Sequence, residues 1–293
     1  MASDSLTTTG YIKHHLQNLT YGQLPDGTWG IAHSAAEARE MGFWAIHLDT
    51  MFWSVLLGAL FLWLFAKAAR KATADTPSGW LNFVEWVIDF IDDNVRGSFS
   101  GKNDLIAPLS LTLFVWILLM NLMDLLPVDL VPWIANGFQS SLTYGPIHYF
   151  KVLPIADINA PVGMAIGVAI LIHYYSIKNK GLGGFLAELT FQPLGKWAMP
   201  FNMLIEIPGF YAKQIALGLR LYGNLFAGEM IFILIALLFG GLFESLYGAV
   251  LGLFGILLHL AWAIFHVLII ALQAYVFMIL TVVFLNQAHE THH

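Results

Sequence analysis

The stretch FNMLIEIPGFYAKQIALGLRLYGNLFAGEMIFILIALLFG, residues 201–240, decides the fold. It is apolar over a length that suits a bilayer, yet it carries Glu206, Lys213, Arg220 and Glu229. An Arg or Asp at the centre of a membrane helix costs roughly 2.5–3.5 kcal/mol on insertion scales, so four ionisable residues in one such element require a role. A helix drifts only ~20° per seven residues. Glu206, Lys213 and Arg220 therefore share a stripe, which Asn224 extends by one turn. Glu229 falls on roughly the opposite face, about 13 Å beyond Arg220. A guanidinium stays charged at any working pH, so Arg220 must meet an anion, water or backbone carbonyls inside the membrane. A helix-packing salt bridge is the bland alternative, and intramembrane ionisable groups default to function.

Composition agrees with a membrane setting. The 293 residues are 58% apolar and 11% charged, against about a quarter charged in soluble domains. The net charge of −6 is spread thinly and no basic cluster of nucleic-acid type occurs, so nucleic-acid binding has no electrostatic basis. The absence of cysteine excludes disulfides and thiol chemistry. Residues 1–21 are polar without an apolar h-region, which argues against a conventional cleaved signal peptide.

Residues 1–44 read as an extramembrane segment with a turn at Pro25-Asp26-Gly27, and residues 45–293 as a single transmembrane domain. A first span, about Ile46 to Ala66, ends in Lys67, Arg70 and Lys71. The positive-inside rule puts that end in the cytoplasm and the N-terminus outside. From Trp80 to Arg96 polar residues recur every three or four positions opposite Trp, Phe, Val and Ile, the pattern of an amphipathic helix at the cytoplasmic surface. Its polar face is acidic (Glu85, Asp89, Asp92), which is wrong for attraction to anionic lipid, so docking against a partner is at least as good a reading as simple membrane adsorption. A second span, about Leu105 to Leu126, runs outward and sets Asn121 and Asp124 on one face. A proline-rich irregular loop follows, bringing Asp157 and Asn159 ahead of a third span, Val162 to Ile177, whose Gly163 and Gly167 permit close helix contact. Residues 181–200 read as a cytoplasmic connection. Two overlong helices close the chain. The first needs tilt or a break, since ~40 residues measure about 60 Å against a ~30 Å hydrocarbon core, and Pro208-Gly209 could kink it. The second, about Leu246 to Asn286, carries His259, His266 and Gln273 at intervals of seven. For His259 alone, interhelical hydrogen bonding is the preferred reading. His289-Glu290-Thr291-His292-His293 satisfies HExxH, the zinc-protease pattern, but a solvated polar tail is the better reading at a chain end.

Three blocks carry a family resemblance. The run Gly218-Leu219-Arg220-Leu221-Tyr222-Gly223-Asn224-Leu225-Phe226-Ala227-Gly228-Glu229 resembles the signature of subunit a of bacterial F-type ATP synthases. Asn121-Leu122-Met123-Asp124-Leu125-Leu126-Pro127, and the run Trp262 to Leu285 with His266 and Gln273, are similar to the same family in the same order. The first ~40 residues carry least of it. The resemblance implies an all-α polytopic protein of about five transmembrane helices, two of them long and strongly tilted, plus the surface helix, in a bacterial inner membrane with the C-terminus cytoplasmic. It also implies a ring of c subunits as partner, each with one mid-membrane carboxylate facing Arg220, peripheral-stalk b subunits, and lipid. Two offset half-channels follow from it. The outer one would use Glu229, His266, Asp124 and Asn121, with Asp157 and Asn159 nearer the mouth. The inner one would use Glu206, with Lys213 close by, while Gln273 and Asn224 orient Arg220. No cofactor is expected, and no nucleotide chemistry, because no GxxxxGK[ST] loop occurs. The rival is a stand-alone secondary transporter or channel, a class that tends to show internal repeats; none is found.

Overall fold

The computed structural model describes residues 17–32, 34–73, 76–126, 151–191, 199–238 and 245–290. Five of its helices are long and apolar enough to cross a membrane. In chain order the elements are β1 (Thr20–Gln23), β2 (Trp29–Ile31), α1 (Ala35–Glu40), β3 (Ile46–His47), α2 (Leu48–Ala69), α3 (Trp80–Ser98), α4 (Ile106–Leu122), α5 (Asn159–Phe191), α6 (Met199–Leu237) and α7 (Leu246–His289). Short 3-10 turns at Gly42–Trp44, Met123–Leu125 and Pro154–Ala156 supplement them.

The small sheet was not anticipated. Its strands run β2-β1-β3, all antiparallel, and none exceeds four residues. The expected turn is its hairpin: the exposed Asp26 carboxylate accepts from Thr28 N at 2.9 Å and Thr28 Oγ1 at 2.7 Å, and these bonds hold it below the usual carboxylate range. Gly27 sits at φ 83°, a conformation open to glycine at no steric cost.

The amphipathic helix is α3. Val84, Val87, Ile91 and Val95 form its buried stripe, while Asp89 and Asp93 are exposed and Asp92 pairs with Arg96 at 2.6 Å. Trp80, Phe83 and Trp86 add an exposed aromatic flank. Tyr275 of α7 donates to Asn94 at 2.9 Å and packs against Phe90, tying α3 down.

The third span ends where Lys178 and Lys180 suggest, because the helix is broken at Gly181, φ 72° and ψ 164°. A second helical stretch then runs on to Phe191, so much of the supposed connection is helical; residues 192–198 lie outside the described set. Glycine at 181 lets the backbone change direction between the two stretches. The close helix contact that Gly163 and Gly167 permit is not made at either among the described residues. A Cβ added at either would meet nothing within 4 Å. The contact is made by the opposite stripe: a Cβ on Gly218 of α6 would come within 3.0 Å of Pro161 O and 3.1 Å of Ala165 Cβ, and Ala165, Val168 and Ile172 are buried.

The two long helices hold 39 and 44 residues, about 58 and 66 Å of axis. The first runs through Pro208 as one element. The chain divides into two compact units. One comprises residues 1–59, 119–157 and 224–270; the other comprises residues 60–118, 158–223 and 271–293. The polar groups of the spans fall into separate clusters, described unit by unit below.

Candidate functional site

Among the described residues of the first unit, the polar side chains converge on three buried carboxylates, Asp49, Asp157 and Glu229, and three ion pairs. Asp49, at the head of α2, is fully buried because three backbone amides enclose it: Leu19 N at 2.9 Å, Lys151 N at 3.0 Å and Thr50 N at 2.8 Å. It thus pins the start of the sheet and the segment before α5 to the start of a span. Lys151 then turns its ammonium onto Glu229 at 3.3 Å, with both side chains at most 5% exposed. The same ammonium donates to Ala156 O at 3.3 Å and stands 5.9 Å from the Phe226 ring centre. Asp157 lies beside this group. It accepts from Thr50 Oγ1 at 2.9 Å and from His47 Nδ1 at 2.5 Å.

His47 holds its proton more tightly than an ordinary imidazole, chiefly through the hydrogen bond to Asp157, with burial opposing. The sign follows from that raised value. The tie contributes fully below the ordinary His value of about 6.5 and is lost as pH rises through the raised one. Protection factors at residues 18–23 and 46–50, that is exchange rates corrected for intrinsic base catalysis, are therefore expected to fall as pH is raised beyond the ordinary imidazole value. His47→Gln should remove that fall; a wild-type protection profile in this variant would show that the imidazole does not hold the sheet.

The third pair in this unit joins Asp124 to His266 through Nε2, with the imidazole fully buried. Asn121, also fully buried, donates to Ile270 O at 3.1 Å. The 3-10 turn that ends α4 makes this possible, since it aims Asn121 and Asp124 at successive turns of α7. His266 Nδ1 and Asn121 Oδ1 have no hydrogen-bond partner among the described residues, which leaves polar capacity for water. Gly228 is required here: a Cβ would come 2.9 Å from His266 Nδ1 and nearer still to the ring carbon between the nitrogens. His259 is exposed and packs against Phe232, the two rings tilted at 60° with centres 5.2 Å apart. Asn224 is exposed as well.

Of the residues expected in an outer half-channel, Asp124 and His266 form a pair, Asn121 reaches the next turn of the same helix, and Glu229 is joined to Lys151. Lys151, Asp49 and His47 were missed. A signal for Lys151 did exist: no other Lys or Arg occurs between Lys102 and Lys178. A lone cation on the side that the positive-inside rule keeps sparse asks for a counter-ion.

In the second unit a cavity of about 260 Å³ is lined by Glu206, Lys213, Gln214, Lys180, Ser176 and Glu290, closed by Phe185, Phe210 and Phe284 among others. Glu206 and Lys213 thus share one space, as their spacing of seven suggests. Gln214 is buried at 6% exposure, and its Oε1 has no partner among the described residues. Arg220 lies further along α6, exposed beside exposed Leu219 and Ile215. It has no hydrogen-bond or ion-pair partner among the described residues. Gln273 is buried, and no hydrogen bond to Arg220 accompanies it. Asn159 is exposed at the first position of α5. His289 is engaged at both ring nitrogens, Nδ1 with Leu285 O at 2.7 Å and Nε2 with Asn103 at 3.1 Å, which removes it as the first ligand of a zinc site. His293 lies outside the described residues.

Five spanning helices, with buried ion pairs among them and an exposed guanidinium on one, define an all-α, multi-pass membrane protein with ionisable groups set into its spans. The comparisons narrow this class. The family described as ATP synthase A chain matches residues 51–286. Proteins named ATP synthase subunit a align end to end: that of Thiobacillus denitrificans is 57% identical and that of Marinomonas sp. 56% identical, each over the whole of both chains. That of Pseudomonas putida is 52% identical over 98% of this chain and 99% of its own. The chain belongs to the ATP synthase subunit a family and is a membrane subunit of the F-type complex, a part of its proton-transporting CF(0) sector. The family match begins at residue 51, yet the relatives extend through the N-terminal segment, where the resemblance had looked weakest.

Proposed function

We propose that this subunit is the non-catalytic stator of proton translocation, passing protons to and from mid-membrane carboxylates on a c ring through two access paths that do not join. The observation that carries the reading is Arg220. A permanent cation exposed on an apolar helix surface, without a partner among the described residues of its own chain, calls for an anion on a neighbouring protein. Such a cation favours the ionised form of a carboxylate passing it, so each ring site must give up its proton before it crosses. The same charge bars protons from leaking between the paths.

The outer path is assigned to the first unit. Asp157 and His47 stand at its mouth, Lys151 and Glu229 form its middle, and the Asp124–His266 pair with Asn121 provides further exchangeable positions. Imidazole and carboxylate groups relay protons through water near neutral pH. The inner path is assigned to the cavity holding Glu206, Lys213 and Gln214. Net flow from one path to the other requires the ring to turn, driven by about 2.3 kcal/mol per proton per 100 mV. On this reading the protein sits in the inner membrane with residues 1–44 outside and the C-terminus inside, and the acidic face of α3 (Glu85, Asp89, Asp92) receives the peripheral stalk.

The reading differs from a self-sufficient transporter in one measurable respect. Purified alone and reconstituted, the chain should show no proton conductance above the lipid background, whereas the same chain with a ring of small subunits should conduct. Conductance by the chain alone would favour the transporter.

A further inference from the structure

The N-terminal sheet has an arrangement that a water-exposed sheet avoids. In the antiparallel registers Tyr21 is opposite Ile31 on one side and Ile46 on the other, and Gln23 is opposite Trp29. Directly opposed residues share a face, so Ile31, Tyr21 and Ile46 form one row across all three strands. Trp29, two positions from Ile31, stands on the same face, its ring 6.1 Å from that of Tyr21. The other face is the packed one: Thr20 and Met41 are buried, and a Cβ on Gly22 would come 3.0 Å from Met41 Sδ. A sheet with one packed face normally turns polar residues outward. Here the open face shows Trp29, Ile31 and Ile46 at 42–59% exposure, and the 3-10 turn beside it adds Phe43 at 93% and Trp44 at 78%. Its neighbouring charges are elsewhere, on the hairpin turn (Asp26) and on α1 (Glu37, Arg39, Glu40).

We propose that this open face lies in the headgroup region of the bilayer and anchors the N-terminal sheet to the membrane surface. Lipid is favoured as the occupant by continuity. β3 ends at His47 and the spanning helix α2 begins at Leu48, so the sheet lies within a residue or two of the level where the chain enters hydrocarbon. The span carries on the same kind of surface at once, with Met51, Phe52 and Val55 exposed by more than half. The composition fits too. Trp and Tyr concentrate at membrane interfaces, where an apolar ring and a polar edge are both accommodated, and exposed apolar patches are uncommon on surfaces that face only water. The Asp49 cluster supplies the reason for anchoring: through Leu19 N and Lys151 N it links the sheet to the Lys151–Glu229 pair, so a sheet held against the membrane holds that pair in register. The proposal rests on α2 crossing the bilayer and not on any proton path.

Because the chain has no cysteine, single cysteines can carry a nitroxide at defined points of the assembled complex in phosphatidylethanolamine–phosphatidylglycerol vesicles. The positions are Ile31→Cys and Trp44→Cys, with Asp26→Cys on the hairpin turn as the aqueous reference. Phe43→Cys replaces Trp44→Cys should the latter fail to assemble. Relaxation by oxygen reports lipid and relaxation by a water-soluble nickel chelate reports water. The expected result is an oxygen-to-nickel ratio several-fold higher at 31 and 44 than at 26. Equal ratios at all three positions would place the face in water. Protection from both probes at 31 and 44 would mean that protein covers it. Either outcome overturns the proposal. ATP synthesis measured in the same vesicles reports separately on the proton pathway.

Discussion

Replacing Arg220 with alanine is expected to reduce proton-driven ATP synthesis to background while the complex still assembles. The two halves of that expectation have different physical origins. Arg220 is exposed and has no ion-pair partner among the described residues, so its removal breaks no ion pair or hydrogen bond among them, and exposed substitutions of this kind stay within about 0.5 kcal/mol. On the proposed function, what is lost is the fixed charge that would make a passing carboxylate ionise and keep the access paths apart. Arg220→Lys should fail as well, because an ammonium is a compact charge that can deprotonate and lacks the planar two-pronged geometry. Coupled synthesis near the wild-type rate in inverted vesicles by either variant would remove Arg220 from the mechanism.

The second large effect is expected at the Lys151–Glu229 pair, and there it falls on assembly as well as on transport. Both side chains are almost fully buried. Removing one member of a buried pair strands the other charge, at a cost of about 3–5 kcal/mol, whereas removing both can be nearly neutral. Lys151→Met should therefore lower the yield and thermal stability of the complex sharply, and the double change Lys151→Met with Glu229→Gln should recover most of that loss. Proton conductance through ring-containing vesicles stripped of the catalytic head should not recover in the double variant, since the relay carboxylate is gone. Equal stability of the single and double variants would show that the pair is not coupled, and full conductance in the double variant would make Glu229 a scaffold residue.

These two sites differ in how far the sequence announced them. Arg220 could be read directly, because a guanidinium in an apolar run stays charged and its one bland explanation, a helix-packing salt bridge, is outweighed by the functional default for such groups. The spans could also be read, since length and hydropathy suffice for a helix that must satisfy its own backbone in lipid. The surface helix was legible to within two residues at its C-terminal end, its three- and four-residue alternation matching the buried Val84, Val87, Ile91 and Val95. Pairings across the fold were not legible. His266 and Glu229 were each marked as functional, but a single sequence does not say which residue each one meets, and both partners come from segments far away in the chain. Lys151 lies at the end of a proline-rich stretch without periodicity, so only the charge asymmetry of the loops could have flagged it. Gly163 and Gly167 misled because a short glycine pattern shows that close approach is permitted and not on which side the neighbour lies. The sheet escaped notice because strands of two to four residues, stabilised by the Asp49 carboxylate and by Met41 against Gly22, carry too little pattern to stand out.

The central claim is that the two polar clusters open to opposite sides of the membrane. Single cysteines at Asp157, beside His47, and at Glu206, in the cavity with Lys213 and Gln214, test it directly in assembled complexes held in vesicles of known orientation. A membrane-impermeant thiol reagent should modify Asp157→Cys from the outer side alone and Glu206→Cys from the cytoplasmic side alone. Modification of both from the same side would contradict the account, as would modification of either from both sides in an intact, non-leaking vesicle.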